Sequence, residues 1–350
     1  MRGSPPGSIA WKVLYASRGL DGKPIEVSGV VIAPDLPPPS AGRNVVAFAH
    51  GTTGVADDCG PSNSPNFFER IPHLPALLAL DYVVAATDYE GLGPPGVHPY
   101  LVGVSEARSV LDSVRAAREI PGSGAGRRFI AWGHSQGGHA ALFTGQLAGE
   151  YAPELELSGV AAIAPATNLA VLLKDDLSER AGRILGAYAV WSWSRIFGAS
   201  LEGVVLPGHI PSIEKVAGEC LESFEEVVHV GLDSLGLPSN VLEEAAFSED
   251  PWKGLLEENR PGQAPPGAPL YVAQGSEDRI VRPSVTADFV GGLCRDGARV
   301  QYDWFPGVDH MRSGRISATA AIQWMRDRFE GVGAPSTCPP ALSVLKPKPR

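Results

Sequence analysis

The chain alternates short, nearly continuous apolar runs with longer segments of helical spacing. Residues 44–50 (Asn-Val-Val-Ala-Phe-Ala-His), 82–88, 129–132 and 157–165 are short and apolar with little alternation, which predicts strands buried on both faces of a sheet. Residues 11–17 and 25–33 are β-branched and alternate, and Asp21-Gly22 lies between them. They predict an antiparallel pair ahead of the buried strands. Within 104–120, Val104, Ala107, Val110, Leu111, Val114, Ala117 and Ile120 recur every three or four residues, which predicts a helix with one apolar face. Further helices are expected at 72–80, 140–147, 284–293 and 317–329, and further strands at 270–274 and 300–305. Strand and helix in alternation imply an α/β architecture around a mostly parallel central sheet.

That rhythm stops between about residues 168 and 263. No buried-strand run occurs there, helical stretches alternate with Gly/Pro breaks, and Tyr188, Trp191, Trp193 and Phe197 cluster. The pattern predicts a helical insertion closed by the Pro-rich stretch 261–269. It divides the chain into a core half at 1–167, an insertion at 168–263, and a second core half with a tail at 264–350. No internal repeat is visible.

Composition narrows the functional classes. A chain of 350 residues that is 44% hydrophobic and 19% charged can bury a large core. The net charge is −10 and the only basic cluster is Lys346-Pro-Lys-Pro-Arg350, so nucleic acid is not an expected partner. No run of 18 apolar residues predicts a membrane span. Residues 1–10 lack the apolar stretch of a secretory signal, and the Met-Arg-Gly-Ser start is compatible with vector-derived residues ahead of a mature chain. Cys59, Cys220, Cys294 and Cys338 are far apart with no C-x-x-C pair, which argues against zinc and redox motifs. They are either two disulfides of an oxidising compartment or four buried thiols of a cytosolic enzyme.

The candidate chemistry centres on Gly133-His134-Ser135-Gln136-Gly137, set between an apolar run and a helical stretch. Strand, G-x-S-x-G and helix in that order describe a nucleophile elbow. Glycines flank the serine because a Cβ there would strike the neighbouring strand and helix. A serine hydroxyl needs a histidine to take its proton and a carboxylate to orient that histidine. In a fold of this kind the order is serine, acid, histidine, each after a strand. Asp278 follows the 270–274 strand and is the expected acid, with Glu277 as runner-up; His310 follows the last strand and is the expected base, presented on the loop that contains Pro306 and Gly307. His134 and His139 belong to the elbow and its helix and should point away, and His50 should brace the loop after its strand. The backbone N–H of Gln136 is one expected oxyanion donor; Thr52 and Thr53, in the Gly51–Gly54 turn, are both candidates for the other. An insertion at 168–263 would sit over Ser135 as a cap. Its Trp191, Trp193 and Phe197 form either the cap's own core or an acyl pocket.

Taken together, Gly133–Gly137, His50-Gly-Thr-Thr-Gly54, Asp57-Asp-Cys-Gly-Pro-Ser62 and Thr87-Asp-Tyr-Glu-Gly-Leu-Gly93 resemble the secretory lipase family over about residues 11–340. The resemblance implies an α/β-hydrolase that cleaves carboxylic esters of lipids or short acyl groups and needs no cofactor or metal. It implies Ser135, Asp278 and His310 as the triad, and Thr53 as the upstream oxyanion residue. Fungal members carry an acidic residue at that place, so threonine departs from the pattern. It also implies the pairings Cys59–Cys220 and Cys294–Cys338, and with them a secreted or periplasmic protein. The expected partner is a small ester or lipid met at most by transient contact with a lipid interface, without stable membrane insertion. Two other readings share these residues: a peptidase or acyltransferase on the same triad, and a non-catalytic binding module, which loss of a triad residue would favour; all three positions are filled.

Overall fold

A computed structural model describes residues 1, 3–175, 179–221 and 224–339. Eight strands form one sheet: β1 (Ser8–Arg18), β2 (Pro24–Pro34), β3 (Arg43–Ala49), β4 (Val83–Thr87), β5 (Ala125–His134), β6 (Glu156–Ile163), β7 (Leu270–Gly275) and β8 (Val300–Phe305). Their order is β1-β2-β4-β3-β5-β6-β7-β8. The first two pair antiparallel to each other, and β2 runs antiparallel to β4. From β4 onward every pairing is parallel. The fold is the expected α/β-hydrolase architecture.

The helices are α1 (Leu74–Ala79), α2 (Gly103–Glu119), α3 (Gln136–Tyr151), α4 (Leu169–Asp175), α5 (Arg180–Ile196), α6 (Ile210–Ala217), α7 (Phe224–Asp233), α8 (Trp252–Glu258), α9 (Pro283–Arg295), α10 (His310–Ile316) and α11 (Ala318–Phe329). Along β3, Val45, Ala47 and Ala49 pack with α2 and α3, while Val46 and Phe48 pack with α1 and α11 on the other face. Both faces are therefore covered, which is why the central strands read as unbroken apolar runs. Between β6 and β7 the described residues form α4 to α8 and short 3-10 turns, with a hydrophobic cluster of their own around Tyr188, Val190, Trp193 and Trp252. Tyr100 and Val102, from the loop before α2, join that cluster and dock it on the sheet domain.

Two disulfides are present, Cys59–Cys220 and Cys294–Cys338. The first joins the loop after β3 to the helical insertion; the second joins α9 to the segment after α11. That segment lies along β8: Thr337 donates its N–H to the Val300 carbonyl at 2.8 Å, and its Oγ1 accepts from the Tyr302 N–H at 2.9 Å. The basic 346–350 stretch lies outside the described residues. Among the described residues no helix is long and apolar enough to cross a membrane.

Candidate active site

Ser135 stands between the end of β5 and the first residue of α3, with φ 59° and ψ −118°. A non-glycine residue at positive φ is held there only when its surroundings over-determine it. Here a Cβ on Gly133 would collide with the Gly137 and Ala49 carbonyl oxygens, and one on Gly137 with the Ala49 carbonyl. The Ser135 N–H donates to the Ile163 carbonyl at 2.9 Å. The serine is thus fixed at the carboxyl ends of three adjacent strands, where an open α/β sheet presents its ligand crevice.

Asp278 follows β7 and His310 follows β8. Ser135 Oγ lies 2.9 Å from His310 Nε2, and His310 Nδ1 lies 2.7 Å from Asp278 Oδ2. With Nδ1 facing a carboxylate, the ring carries its hydrogen there and turns a lone pair on Nε2 toward the serine hydroxyl. Asp278 is buried and accepts three further bonds: from Gln274 Nε2 at 3.0 Å, and from the Ile280 and Val281 N–H groups at 2.9 and 2.8 Å. Gln274 is fixed in turn by the Thr286 hydroxyl at 2.7 Å. Glu277, the alternative acid, is exposed.

Three expectations need correction. His310 is not on a loop but is the first residue of α10, whose N-cap is Asp309 with its side chain accepting from the Arg312 N–H. The cap fixes where the helix starts and so where the imidazole projects. His134 does not point away: its ring lies against that of His310, centroids 4.6 Å apart, and it is boxed in by Gly314 and Gly51. Burial and the neighbouring His310 hold it down to about 3, so it is neutral at ordinary pH. Of the three aromatics of 191–197, Trp193 lines the cleft over Ser135, whereas Trp191 and Phe197 do not. On α5 a two-residue step turns about 200°. Trp191 therefore faces the opposite way, where the Arg195 guanidinium covers its ring at 4.2 Å, and Phe197 packs edge-on against Trp193.

His139 does point away, and His50 does brace its loop: its Nδ1 meets the Gly51 carbonyl at 2.6 Å and its ring packs on Tyr89. The N–H of Gln136 opens α3, where a helix has no internal acceptor for it. Thr53 is buried, and its carbonyl accepts from the Leu221 N–H at 2.7 Å. The loop that carries it passes the elbow: a Cβ on Gly51 would stand 3.9 Å from Ser135 Cβ. Thr52 instead pairs its hydroxyl with that of Tyr100 at 2.8 Å.

Above Ser135 is a cleft, partly open to solvent, with an overwhelmingly apolar lining, floored by Ser135 and Gln136. Gly182, Gly186, Ala189 and Trp193, spaced four, three and four apart along α5, form one wall; Leu169, Leu172 and Leu173 of α4 form another. Along this wall α5 presents two glycines and an alanine, and then the large ring of Trp193. The Trp193 indole is held by donating to the Tyr100 carbonyl at 2.8 Å.

The sequence reading passed over a buried polar group behind the elbow. Glu106, on α2, is fully buried and meets Gln136, His139 and the Leu101 N–H. Its position four residues before Val110, on the apolar face of α2, was the available signal. His98 accepts from Gln136 Nε2 at 3.0 Å, and burial pushes it down to about 4. Among the described residues no group of three His, Cys, Asp or Glu side chains is arranged to hold a metal.

A family model described as secretory lipase matches residues 72–336 of the chain. Lipase A of Moesziomyces aphidis is 22% identical over 327 residues, which cover 86% of this chain and 68% of that protein. Secreted triacylglycerol lipase LIP4 of Malassezia globosa is 24% identical over 367 residues, covering 94% and 74%. Among solved structures, the X-ray structure of Candida antarctica lipase A superposes with a TM-score of 0.79 at 18% identity, covering 95% of this chain and 80% of that one.

Proposed function

The chain belongs to the secretory lipase family and is a carboxylic ester hydrolase, and we propose that it works through an acyl-enzyme on Ser135. The observation that carries this is the linear chain from Ser135 Oγ to His310 Nε2 and from His310 Nδ1 to Asp278, at the floor of an apolar cleft. Ser135 attacks the ester carbonyl as His310 takes its proton. The N–H groups of Gln136 and Thr53 hold the negative oxygen of the tetrahedral intermediate. His310 then protonates the departing alkoxide; water repeats the sequence and releases the acid. Asp278 keeps the imidazole in the one tautomer that can do this.

The substrate reading follows from the cleft. A lining this apolar suits a hydrocarbon acyl chain and offers few partners to a peptide backbone. We assign residues 168–263 as a cap over a hydrolase core made of 1–167 and 264–350, with α4 and α5 of the cap shaping the acyl site. The family and the two disulfides fit an extracellular protein, and we take it to be secreted or periplasmic.

The test is a series of p-nitrophenyl esters from acetate to palmitate with the parent protein and Ser135→Ala. Turnover by the parent, none by the variant, and stoichiometric labelling of Ser135 by a phosphonate are expected. An S135A protein that still turns over esters would overturn the assignment.

A further inference from the structure

Behind the elbow, on the side away from substrate, Glu106 and His139 form a fully buried pair, with His139 Nδ1 2.6 Å from Glu106 Oε2. Their protonation follows from their partners. His139 Nε2 lies 2.9 Å from the Asn259 carbonyl, which can only accept, so that nitrogen carries hydrogen. Glu106 Oε1 accepts from Gln136 Nε2 at 2.9 Å and from the Leu101 N–H at 3.2 Å. One proton therefore lies between Nδ1 and Oε2, and the pair is neutral as a unit, which makes its burial affordable.

The partners of this pair are placed to matter. Gln136 supplies the elbow amide that faces the oxyanion, and both hydrogens of its side-chain amide are in use: one goes to Glu106, the other to His98 Nε2 at 3.0 Å. The His98 tautomer agrees, since its Nδ1 faces the Glu90 carbonyl at 2.8 Å and must donate there. Asn259 closes α8, the last helix before β7, and its Oδ1 also accepts from the Gly103 N–H that opens α2, at 3.0 Å. One carboxylate thus touches the residue after the nucleophile directly and, through His139, the end of the helical insertion.

We propose that Glu106 is a positioning residue for ester hydrolysis: acting through the Gln136 side chain, it sets the direction of the elbow N–H toward the developing oxyanion, and through His139 it ties that direction to the docking of the insertion at Asn259. The proposal rests on the acyl-transfer reading of Ser135. Transition-state stabilisation by fixed donors tolerates little angular error, and loss of a whole oxyanion donor costs about 10²–10³ in kcat. A donor that is present but loosely aimed should cost less.

The experiment compares Glu106→Leu, Glu106→Gln and Gln136→Met with the parent, and has a readout that fold damage alone would not move. For Glu106→Leu and Gln136→Met, kcat for p-nitrophenyl butyrate should fall roughly ten- to hundredfold while KM changes less than about threefold. Affinity for a trifluoromethyl ketone, which forms the tetrahedral adduct, should fall by the same factor as kcat/KM, and affinity for an unreactive alkyl ether analogue should hold. Glu106→Gln is the rescue: its amide keeps an oxygen for Gln136 and Leu101 and offers an N–H to a neutral His139, so kcat should recover most of the loss. Gln136→Met guards against a Glu106→Leu protein that fails to fold, since it keeps the helix and removes only the link. Folded variants that bind the ketone as the parent does would overturn the proposal. So would a Glu106→Gln protein as impaired as Glu106→Leu, or losses on ketone and ether alike. If Ser135→Ala remains active, the acyl-enzyme reading falls instead; with Ser135→Ala inactive, the Glu106 result stands or falls by itself.

Discussion

Leu221 donates its backbone N–H to the carbonyl of Thr53 at 2.7 Å, next to the bond between Cys220 and Cys59. A covalent and a hydrogen-bonded tie therefore hold the insertion to the loop proposed to supply the second oxyanion donor. With a sequence separation of 161 between the two cysteines, chain entropy alone allows a contribution of up to about 5 kcal/mol. Cys220→Ser should lower the Tm by roughly 5–10 °C and also reduce kcat roughly tenfold, because the Thr53 loop gains freedom. Cys338→Ser should lower the Tm and leave kcat near the parent value. Calorimetry and ester kinetics on the two variants check the contrast, and equal effects on kcat would contradict it.

For the proposed triad, Ser135→Ala and His310→Ala should each reduce kcat by about 10⁶, and the double variant by little more, because such residues act as a unit. Asp278→Asn should cost about 10⁴, through loss of the productive tautomer. The folded state of each protein is verified by circular dichroism before rates are compared.

The wall formed by α5 predicts chain-length selectivity. Gly186→Leu fills the stripe between Gly182 and Ala189, so octanoate and longer esters should lose roughly 10- to 200-fold in kcat/KM relative to acetate. Trp193→Ala should extend the preference toward longer chains, at a cost in stability because Trp193 also packs on Trp252 and Phe197. Trp191→Ala, on the opposite face, should leave the profile unchanged. A profile altered by Trp191→Ala and indifferent to Gly186→Leu would place the acyl group elsewhere.

His98 and His134 predict the acid limb of stability. Burial holds them down to about 4 and about 3, the latter with help from His310, whereas in the unfolded chain a histidine titrates near about 6.5. As pH falls below that value the unfolded state takes up protons that the folded state refuses, so stability is fully present above it and drains away toward pH 4 and below. Each group contributes about 1.4 kcal/mol per pH unit across its window. Urea denaturation of His134→Phe between pH 7 and 4.5 should give a slope shallower by one proton than the parent. Parallel slopes would mean that His134 does not titrate in this way.

What the sequence made legible, and what it hid, follows from the range of each signal. Ser135, Asp278 and His310 each follow a strand, so strand order and turn chemistry made them legible as candidates, while spacing alone left Glu277 beside Asp278 as an alternative acid. The α10 helix was missed because seven residues are too few for a period to emerge, although Asp309 three residues before Arg312 is a serviceable cap signal. Trp191 was grouped with Trp193 by proximity in the chain, where a helical wheel already separates them. Glu106 was hidden for a different reason. Its partners Leu101, Gln136 and His139 come from a loop and another helix, with Asn259 beyond them at the end of α8, so no spacing along one element encodes the cluster. The disulfide pairs came from family resemblance, since four separated cysteines leave the connectivity open.

The short stretch around Thr337 that lies on β8 has a consequence for the protein as a population of molecules. β8 is the last strand of the sheet, and an uncovered outer strand offers a row of free amides and carbonyls to any other chain. Thr337 occupies part of that row, and the Cys294–Cys338 bond keeps it there. Loss of that bond would free the edge for pairing between molecules, at a place that Ser135, Asp278 and His310 do not contact. Its expected first symptom is turbidity in a concentrated solution of Cys338→Ser that still turns over ester.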